Sequence, residues 1–370
     1  MNRKTLAILA GAVLSLTGAG SVDPAFGAVI NPNDLMVFQQ ATTGNAGVNI
    51  QMLEVTPSGT LVQTLTDNAL YTDNSGSEGD LSFAPGSSGG TVVAFTGFTS
   101  TGATETNVAG RGVGILDVNG NFAQSATYSN SATGSQTRGA YSADLNNWYM
   151  TDKSGIYYNG GTTALTGSAN TRSIKSFGGT TYILQATAGI SVVSSLSPSS
   201  PSPGITSITS TSLPWSGGAN SVSDANAVDF AMLASGQNGS TIDTLYYTDN
   251  TGVLKYGLVG GAWTAEGSDT ALGTHLSNIT AKLDPVSGVD LYLTSDTSSG
   301  PGVLEEVTDS AAYNATMNAS AANTLYTAGT GDLLRGVSFA PTGVPEPASL
   351  GVLALSGGLL LLRRRHLIAT

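Results

Sequence analysis

One short pattern recurs along the chain and limits its fold more than any other feature. It is an apolar run, a polar turn carrying Thr, Asp or Gly, and a second apolar run. The clearest copies are Trp148-Tyr149-Met150-Thr151-Asp152-Lys153-Ser154-Gly155-Ile156-Tyr157-Tyr158 and Leu245-Tyr246-Tyr247-Thr248-Asp249-Asn250-Thr251-Gly252-Val253-Leu254-Lys255-Tyr256. A third starts at Leu291-Tyr292-Leu293-Thr294 and passes Asp296 and Gly302 to reach Val303-Leu304. Looser copies with longer loops occupy 182–193, 92–116 and 35–53. Each predicts a β-hairpin, because aromatic and β-branched runs broken by turn-forming residues favour paired antiparallel strands.

A second element precedes most hairpins. Arg335-Gly336-Val337-Ser338-Phe339-Ala340-Pro341 aligns with Gly79-Asp80-Leu81-Ser82-Phe83-Ala84-Pro85. Arg138-Gly139-Ala140-Tyr141-Ser142-Ala143-Asp144 and Arg172-Ser173-Ile174-Lys175-Ser176-Phe177 are further copies, and 226–232 and 278–284 are weaker ones. Small residues dominate this strand, as a crowded central position requires. A fourth strand follows some hairpins, as in Gly260-Gly261-Ala262-Trp263-Thr264 and Gly120-Asn121-Phe122-Ala123. Four strands repeated about every fifty residues predict an all-β fold, a β-propeller. The copy at 335–341 has no hairpin after it, and the hairpin at 35–53 has no first strand before it. Joining these leftovers by pairing the N- and C-terminal strands gives six four-stranded blades, preferred over seven. The proline- and serine-rich stretch 194–204 is expected to be a surface loop within one blade. Asp117-Val118-Asn119-Gly120-Asn121 is expected to be a hairpin turn, its Asn-Gly fitting type I′.

Composition agrees. The chain of 370 residues has 48 glycines and only 10% charged residues, which suits short strands and tight turns better than long amphipathic helices. Apolar residues make up 40% and fall in regular runs, which argues against disorder. There is no cysteine, so disulfides, thiolate metal sites and cysteine nucleophiles are excluded. The formal charge is −12. With the terminal segments set aside, eight basic and 23 acidic residues remain, a surface that nucleic acid and anionic membranes repel.

The two ends differ from the middle. Residues 1–27 carry Arg3 and Lys4, an apolar core, and small residues at Ala25, Gly27 and Ala28 where a signal peptidase would cut, so a signal peptide helix is expected. The other end, 344–370, reads Val344-Pro345-Glu346-Pro347-Ala348-Ser349, then an apolar run over 350–362, then Arg363-Arg364-Arg365. That run is short for a membrane span, and the arginines favour the cytoplasmic side, so a short hydrophobic helix with transient membrane insertion is expected. This tail resembles the PEP-CTERM sorting signal of exported bacterial proteins: Pro345, Glu346 and Pro347, a short apolar helix and an Arg cluster, in that order. The resemblance covers about 344–365. It implies that an exosortase cuts near the Pro-Glu-Pro motif and releases the domain 28–343 to the cell surface or extracellular matrix.

Candidate chemistry is sparse. After removal of the ends His275 is the sole histidine, which cannot by itself complete a zinc site or a catalytic base. No nucleophile elbow, phosphate loop or metalloprotease helix is present. Asp73, Ser75, Ser77 and Asp80 alternate as Ca²⁺ ligands can, without the full spacing of an EF-hand loop, and a solvated turn is the plainer reading; no other cofactor is expected. Arg138, Arg172 and Arg335 begin equivalent strands. They could hold an anionic ligand at one channel mouth, or pair with turn carboxylates such as Asp152, Asp249 or Asp296 and fasten neighbouring blades. The sequence therefore points to a non-catalytic binding or structural protein outside the cell, with polysaccharide or a surface protein as partner and no nucleic acid. The alternative is a polysaccharide hydrolase or lyase, which requires two carboxylates a few ångströms apart at the channel mouth.

Overall fold

A computed structural model describes residues 29–41, 47–72, 79–86, 89–100, 108–130, 136–187, 190–216, 227–249, 252–272, 276–295 and 301–343. All regular structure among them is β-strand. Strands β1 (Leu35–Ala41), β2 (Val48–Val55) and β3 (Leu61–Thr72) form a meander, and β4 (Ser82–Pro85), β5 (Thr91–Phe98), β6 (Gly110–Leu116) and β7 (Phe122–Ser129) form the next. Then come β8 (Thr137–Tyr141), β9 (Tyr149–Asp152) and β10 (Gly155–Tyr158), followed by β11 (Thr171–Phe177), β12 (Thr180–Thr187), β13 (Ile190–Ser197) and β14 (Thr209–Ser212). The last full meanders are β15 (Asp229–Leu233), β16 (Thr244–Thr248), β17 (Val253–Val259) and β18 (Ala262–Asp269), and β19 (Leu276–Asp284), β20 (Gly288–Ser295), β21 (Val303–Asp309) and β22 (Asn323–Thr327). The final strand is β23 (Asp332–Phe339).

Four sheets stand apart as propeller-like blades: one of three strands, β8–β10, and three of four strands. An eight-stranded sheet holds β1–β7 and β23. Within it β3 and β5 touch at the single pair Tyr71–Phe98, and β23 pairs antiparallel with β1 along Leu35–Phe339 to Ala41–Asp332. The last described strand thus completes the first described sheet. All six hairpins read from the sequence coincide with strand pairs. The stretch 194–204 differs in part: its first four residues finish β13, because the Ser194–Ser197 backbone is paired with β14.

The sheets stack face to face, so their middle strands are covered on both sides. In β16, Tyr246 packs with Ile279 and Leu291 of the following sheet, while Leu245 and Tyr247 pack with Phe230 and Leu184 on the other side. In β9, Tyr149 faces Ile174 and Ile183, and Met150 faces Val92 and Val113. This two-sided burial explains why the hairpin strands are continuous apolar runs rather than alternating ones.

Turn chemistry fixes the hairpins. The repeated Thr-Asp pair places Asp152 Oδ1 as acceptor for the Ser154 and Gly155 amides, and Asp249 Oδ1 for the Gly252 amide. At the β6–β7 turn, Asp117 Oδ1 accepts from the Asn119 and Asn121 amides. Gly120 alone has positive φ there, at 75°, so the expected type I′ turn is replaced by one that needs a single left-handed residue.

Because β23 holds the first and last parts of the chain together, its buried side chains carry closure. Leu334→Ala should cost about 2–5 kcal/mol. Urea unfolding followed by fluorescence and by circular dichroism should show one shifted transition in both signals.

Candidate functional site

The first strands of the meanders, β4, β8, β11, β15 and β19, contact one another in succession, and β19 contacts β23. Gly336 of β23 then lies against the Gly79 carbonyl at the entry to β4. A bulge recurs near the start of these strands. Register shifts skip Arg172 in β11, Ser277 in β19 and Arg335 in β23, and fall across Arg138-Gly139 in β8. A bulge re-aims the residue that follows it. The residues just beyond are Ser173, Asn278 and Gly336, with Gly139, Asp80 and Asp229 at matching places in their own copies.

These residues build a polar cluster at the axis. Ser173 Oγ lies 2.9 Å from Asp80 Oδ2 and 2.7 Å from Asp229 Oδ1, so one hydroxyl bridges two carboxyl groups. Lys175 Nζ, two residues along β11, is 2.5 Å from Asp229 Oδ2 and 3.5 Å from Asp80 Oδ1. It also donates to the carbonyls of Phe230 (3.2 Å) and Ile279 (3.1 Å), reaching β15 and β19. The Ile279 amide donates to Asp229 Oδ2 at 2.9 Å, and the Ile174 amide to Asp80 Oδ2 at 3.3 Å. Asp80 reaches β11 by passing over β8, and Gly139 makes this possible. A Cβ on Gly139 would stand 2.6 Å from Asp80 Oδ2, closer than atoms tolerate.

Burial dominates the electrostatics. It pushes the Asp80 carboxyl up to about 7; Lys175 opposes the rise and Asp229 adds to it. Burial also pulls the Lys175 ammonium down, but the Asp229 and Asp80 carboxylates more than reverse this and leave it raised. Asp80 Oδ1 is buried with no hydrogen-bond partner among the described residues, and the Lys175 ammonium lies 3.5 Å from it.

A cavity of about 260 Å³ opens beside this cluster. Phe83, Phe177, Met232, Ala281 and Phe339 line it together with Lys175, and Ser82, Ser176, Thr280 and Ser338 add hydroxyl side chains. Asp80 and Asp229 do not line it; they sit behind Lys175. Arg138, Arg172 and Arg335 do not line it either, lying nearer the other end of the same strands. Arg138 is buried, and its Nη1 donates to Asn170 Oδ1 (2.6 Å) and the Thr171 carbonyl (2.9 Å), joining β8 to the next sheet. Its charge also acts on Asp152. Arg172 and Arg335 are half-buried at their bulges.

Asp80 is buried in the axial cluster, not in an exposed turn; the other residues of the calcium candidate, Asp73, Ser75 and Ser77, lie outside the described residues. Among the described residues no group of three His, Asp or Glu is placed to hold a metal ion. His275, the signal region with Ala25, Gly27 and Ala28, and the tail with Pro345, Glu346, Pro347, Arg363, Arg364 and Arg365 also lie outside them. No described helix is long and apolar enough to cross a membrane.

The sequence reading missed Ser173, Lys175 and Asp229 as a cluster. Lys175 did carry a signal: it stands where the aligned copies have Ser82, Tyr141, Ala231, Thr280 and Ser338, none of them charged. A lone charge at a position otherwise uncharged, on a buried strand, marks an interior ion pair.

Sheet order and axial convergence define an all-β, propeller-like protein. No protein-family model matches the chain, and no curated protein matches it. Among solved structures it is similar to a candidate 6-phosphogluconolactonase from Bacteroides fragilis, at 10% identity and TM-score 0.48, over 79% of this chain and 82% of that one. It is also similar to a chain of a nidogen–laminin complex, at 13% identity and TM-score 0.46, over 82% and 97%. A glucose dehydrogenase matches at 12% identity and TM-score 0.44, over 76% and 98%.

The sign of the pH dependence follows from Asp80. Its carboxyl rises from 3.8 to about 7 on folding, so the folded state binds the proton more tightly. Its contribution to stability is full below the lower value and is lost as pH rises through the upper one. Asp80→Asn should flatten the fall in stability across this window, read by denaturant titrations at several pH values. Gly139→Ala should displace the Asp80 carboxyl and cost about 1–3 kcal/mol at acidic pH.

Proposed function

We propose that this chain is an exported cell-surface or extracellular-matrix protein whose propeller binds, without catalysis, a neutral polysaccharide at the mouth of its axial channel. The cavity beside Lys175 carries this reading. Phe83, Phe177 and Phe339 offer flat apolar faces to the C–H face of a sugar, and Ser82, Ser176, Thr280 and Ser338 line it with hydroxyls. Its volume suits a sugar unit or chain end rather than a long segment. The acidic composition disfavours a polyanion. Sorting is read from the sequence alone: a signal peptide at 1–27 and a Pro-Glu-Pro tail at 344–370 that an exosortase would process at the membrane.

Six blades complete the proposal. The eight-stranded sheet divides at the single Tyr71–Phe98 contact into β23-β1-β2-β3 and β4–β7. Six larger core clusters among the described residues each fall between successive meanders, as six blades in a ring require.

A specific observation favours a second reading, a polysaccharide hydrolase or lyase. Asp80 and Asp229 converge on one hydroxyl, and one of them is raised toward neutrality, as in acid–base pairs. Their seclusion behind Lys175 ranks it second.

A glycan array and a matrix pull-down with the purified mature protein test both. Binding of neutral glycans, weakened about tenfold by Phe177→Ala or Phe339→Ala, supports the first reading. No partner in either screen overturns it. Release of reducing or unsaturated ends that Asp229→Asn abolishes would establish the second.

A further inference from the structure

We propose that Lys175 and Asp229 are joined by an intramolecular amide bond that covalently ties β11 to β15 at the axis. The inference rests on the geometry of the cluster and is independent of any ligand. Lys175 Nζ already sits 2.5 Å from Asp229 Oδ2, and both groups are buried. The second carboxyl, Asp80, touches both reactants: Oδ1 is 3.5 Å from Lys175 Nζ, and Oδ2 meets Asp229 Oδ1 through Ser173 Oγ.

Each group has a step to perform. Asp80 Oδ1, which has no hydrogen-bond partner, accepts a proton from the ammonium. The freed amine lone pair attacks Asp229 Cγ and forms the C–N bond. The Ile279 amide, 2.9 Å from Oδ2, holds the oxygen that gains negative charge. The Asp80 carboxyl turns about its Cβ–Cγ bond so that the protonated oxygen meets Ser173 and returns the proton through that hydroxyl to Asp229 Oδ1; the nitrogen gives up a second proton by the same two moves, and the Asp229 Cγ–Oδ1 bond breaks. Two protons from the ammonium thus leave with Oδ1 as one water, Asp80 is regenerated, and no oxidant or energy donor is needed.

The surroundings favour the product. A buried ion pair loses hydration that a neutral amide does not need. The Phe230 ring, its centroid 6.0 Å from Nζ, adds an apolar neighbour. The Asp80 carboxyl, raised to about 7, can take and return a proton near neutrality. A chain without cysteine gains here a cross-link that no disulfide can provide. A second buried lysine–aspartate pair, Lys255 and Asp309 at 2.7 Å, has Tyr246 beside the carboxylate and no second carboxyl bonded to it among the described residues. It serves as the internal reference.

Peptide mass spectrometry on the purified, folded full chain tests the proposal. A branched peptide joining Lys175 to Asp229, lighter by one water than its two parts, is expected, whereas Lys255 comes back unbranched. After denaturation, an amine-reactive label should spare Lys175 and modify Lys255. Recovery of Lys175 in a linear, labelled peptide from folded wild-type protein overturns the proposal. Asp80→Asn keeps both reactants and should restore the linear peptide; a full yield of branched peptide from that variant overturns the relay assigned to Asp80.

Discussion

Until any bond to Asp229 forms, Lys175 carries a charge to a nearly buried place beside the axial cavity, and the surrounding elements are arranged to answer it. Four oxygens face its ammonium, from Asp229, Asp80, Phe230 and Ile279. A buried ammonium without such partners would cost several kcal/mol. The four come from three elements besides β11: the segment leading into β4, then β15 and β19. Their relative positions are therefore constrained by one side chain, and the blades cannot rotate about the axis without opening its shell.

Crowding at the axis explains the composition of the first strands. Several strands must approach one line, and each inward position receives what space remains. Gly139 yields its place to the Asp80 carboxyl, Ser173 fits a hydroxyl between two acids, and Asn278 accepts the Val337 amide at 3.3 Å. The recurring bulge makes this arrangement possible, because the extra residue turns the next one toward the axis while Arg138, Arg172 or Arg335 occupies the bulge itself. The arginine positions and the axial cluster are thus two consequences of one backbone device. Arg138 shows what the first of these achieves: it binds the backbone and Asn170 of the next sheet.

Much of this was legible in the sequence. The Thr-Asp turns announced the hairpins because Asp152 and Asp249 hold their own turn amides, a purely local interaction. The unpaired first strand at 335–341 and unpaired hairpin at 35–53 announced the β23–β1 pairing because a sheet missing an edge needs a complement. The type I′ turn at Asn119-Gly120 was misread, because Asp117 caps the turn and only the glycine needs a left-handed backbone. The axial cluster was not legible. Asp80, Ser173 and Asp229 lie far apart in the chain, and their meeting depends on which residue each bulge re-aims. Asp80 looked like a member of an oxygen-rich loop because its neighbours in sequence are polar; its neighbours in space decide otherwise.

The axial contacts also bear on how the domain unfolds. Each apolar cluster lies between adjacent sheets, so nearest-neighbour packing alone would let the structure open one interface at a time, as repeat arrays do. The axis adds contacts that skip a neighbour: Asp80 reaches β11 past β8, and Lys175 on β11 reaches β19 past β15. Opening the interface between β8 and β11 therefore exposes the Asp80 carboxyl and breaks axial contacts made from two directions. Such next-nearest ties raise the cost of partial opening relative to complete unfolding and favour a single cooperative transition. The pairing of β23 with β1 acts in the same sense at the seam between the first and last described strands, leaving neither the axial cluster nor the seam as an independent starting point for unfolding.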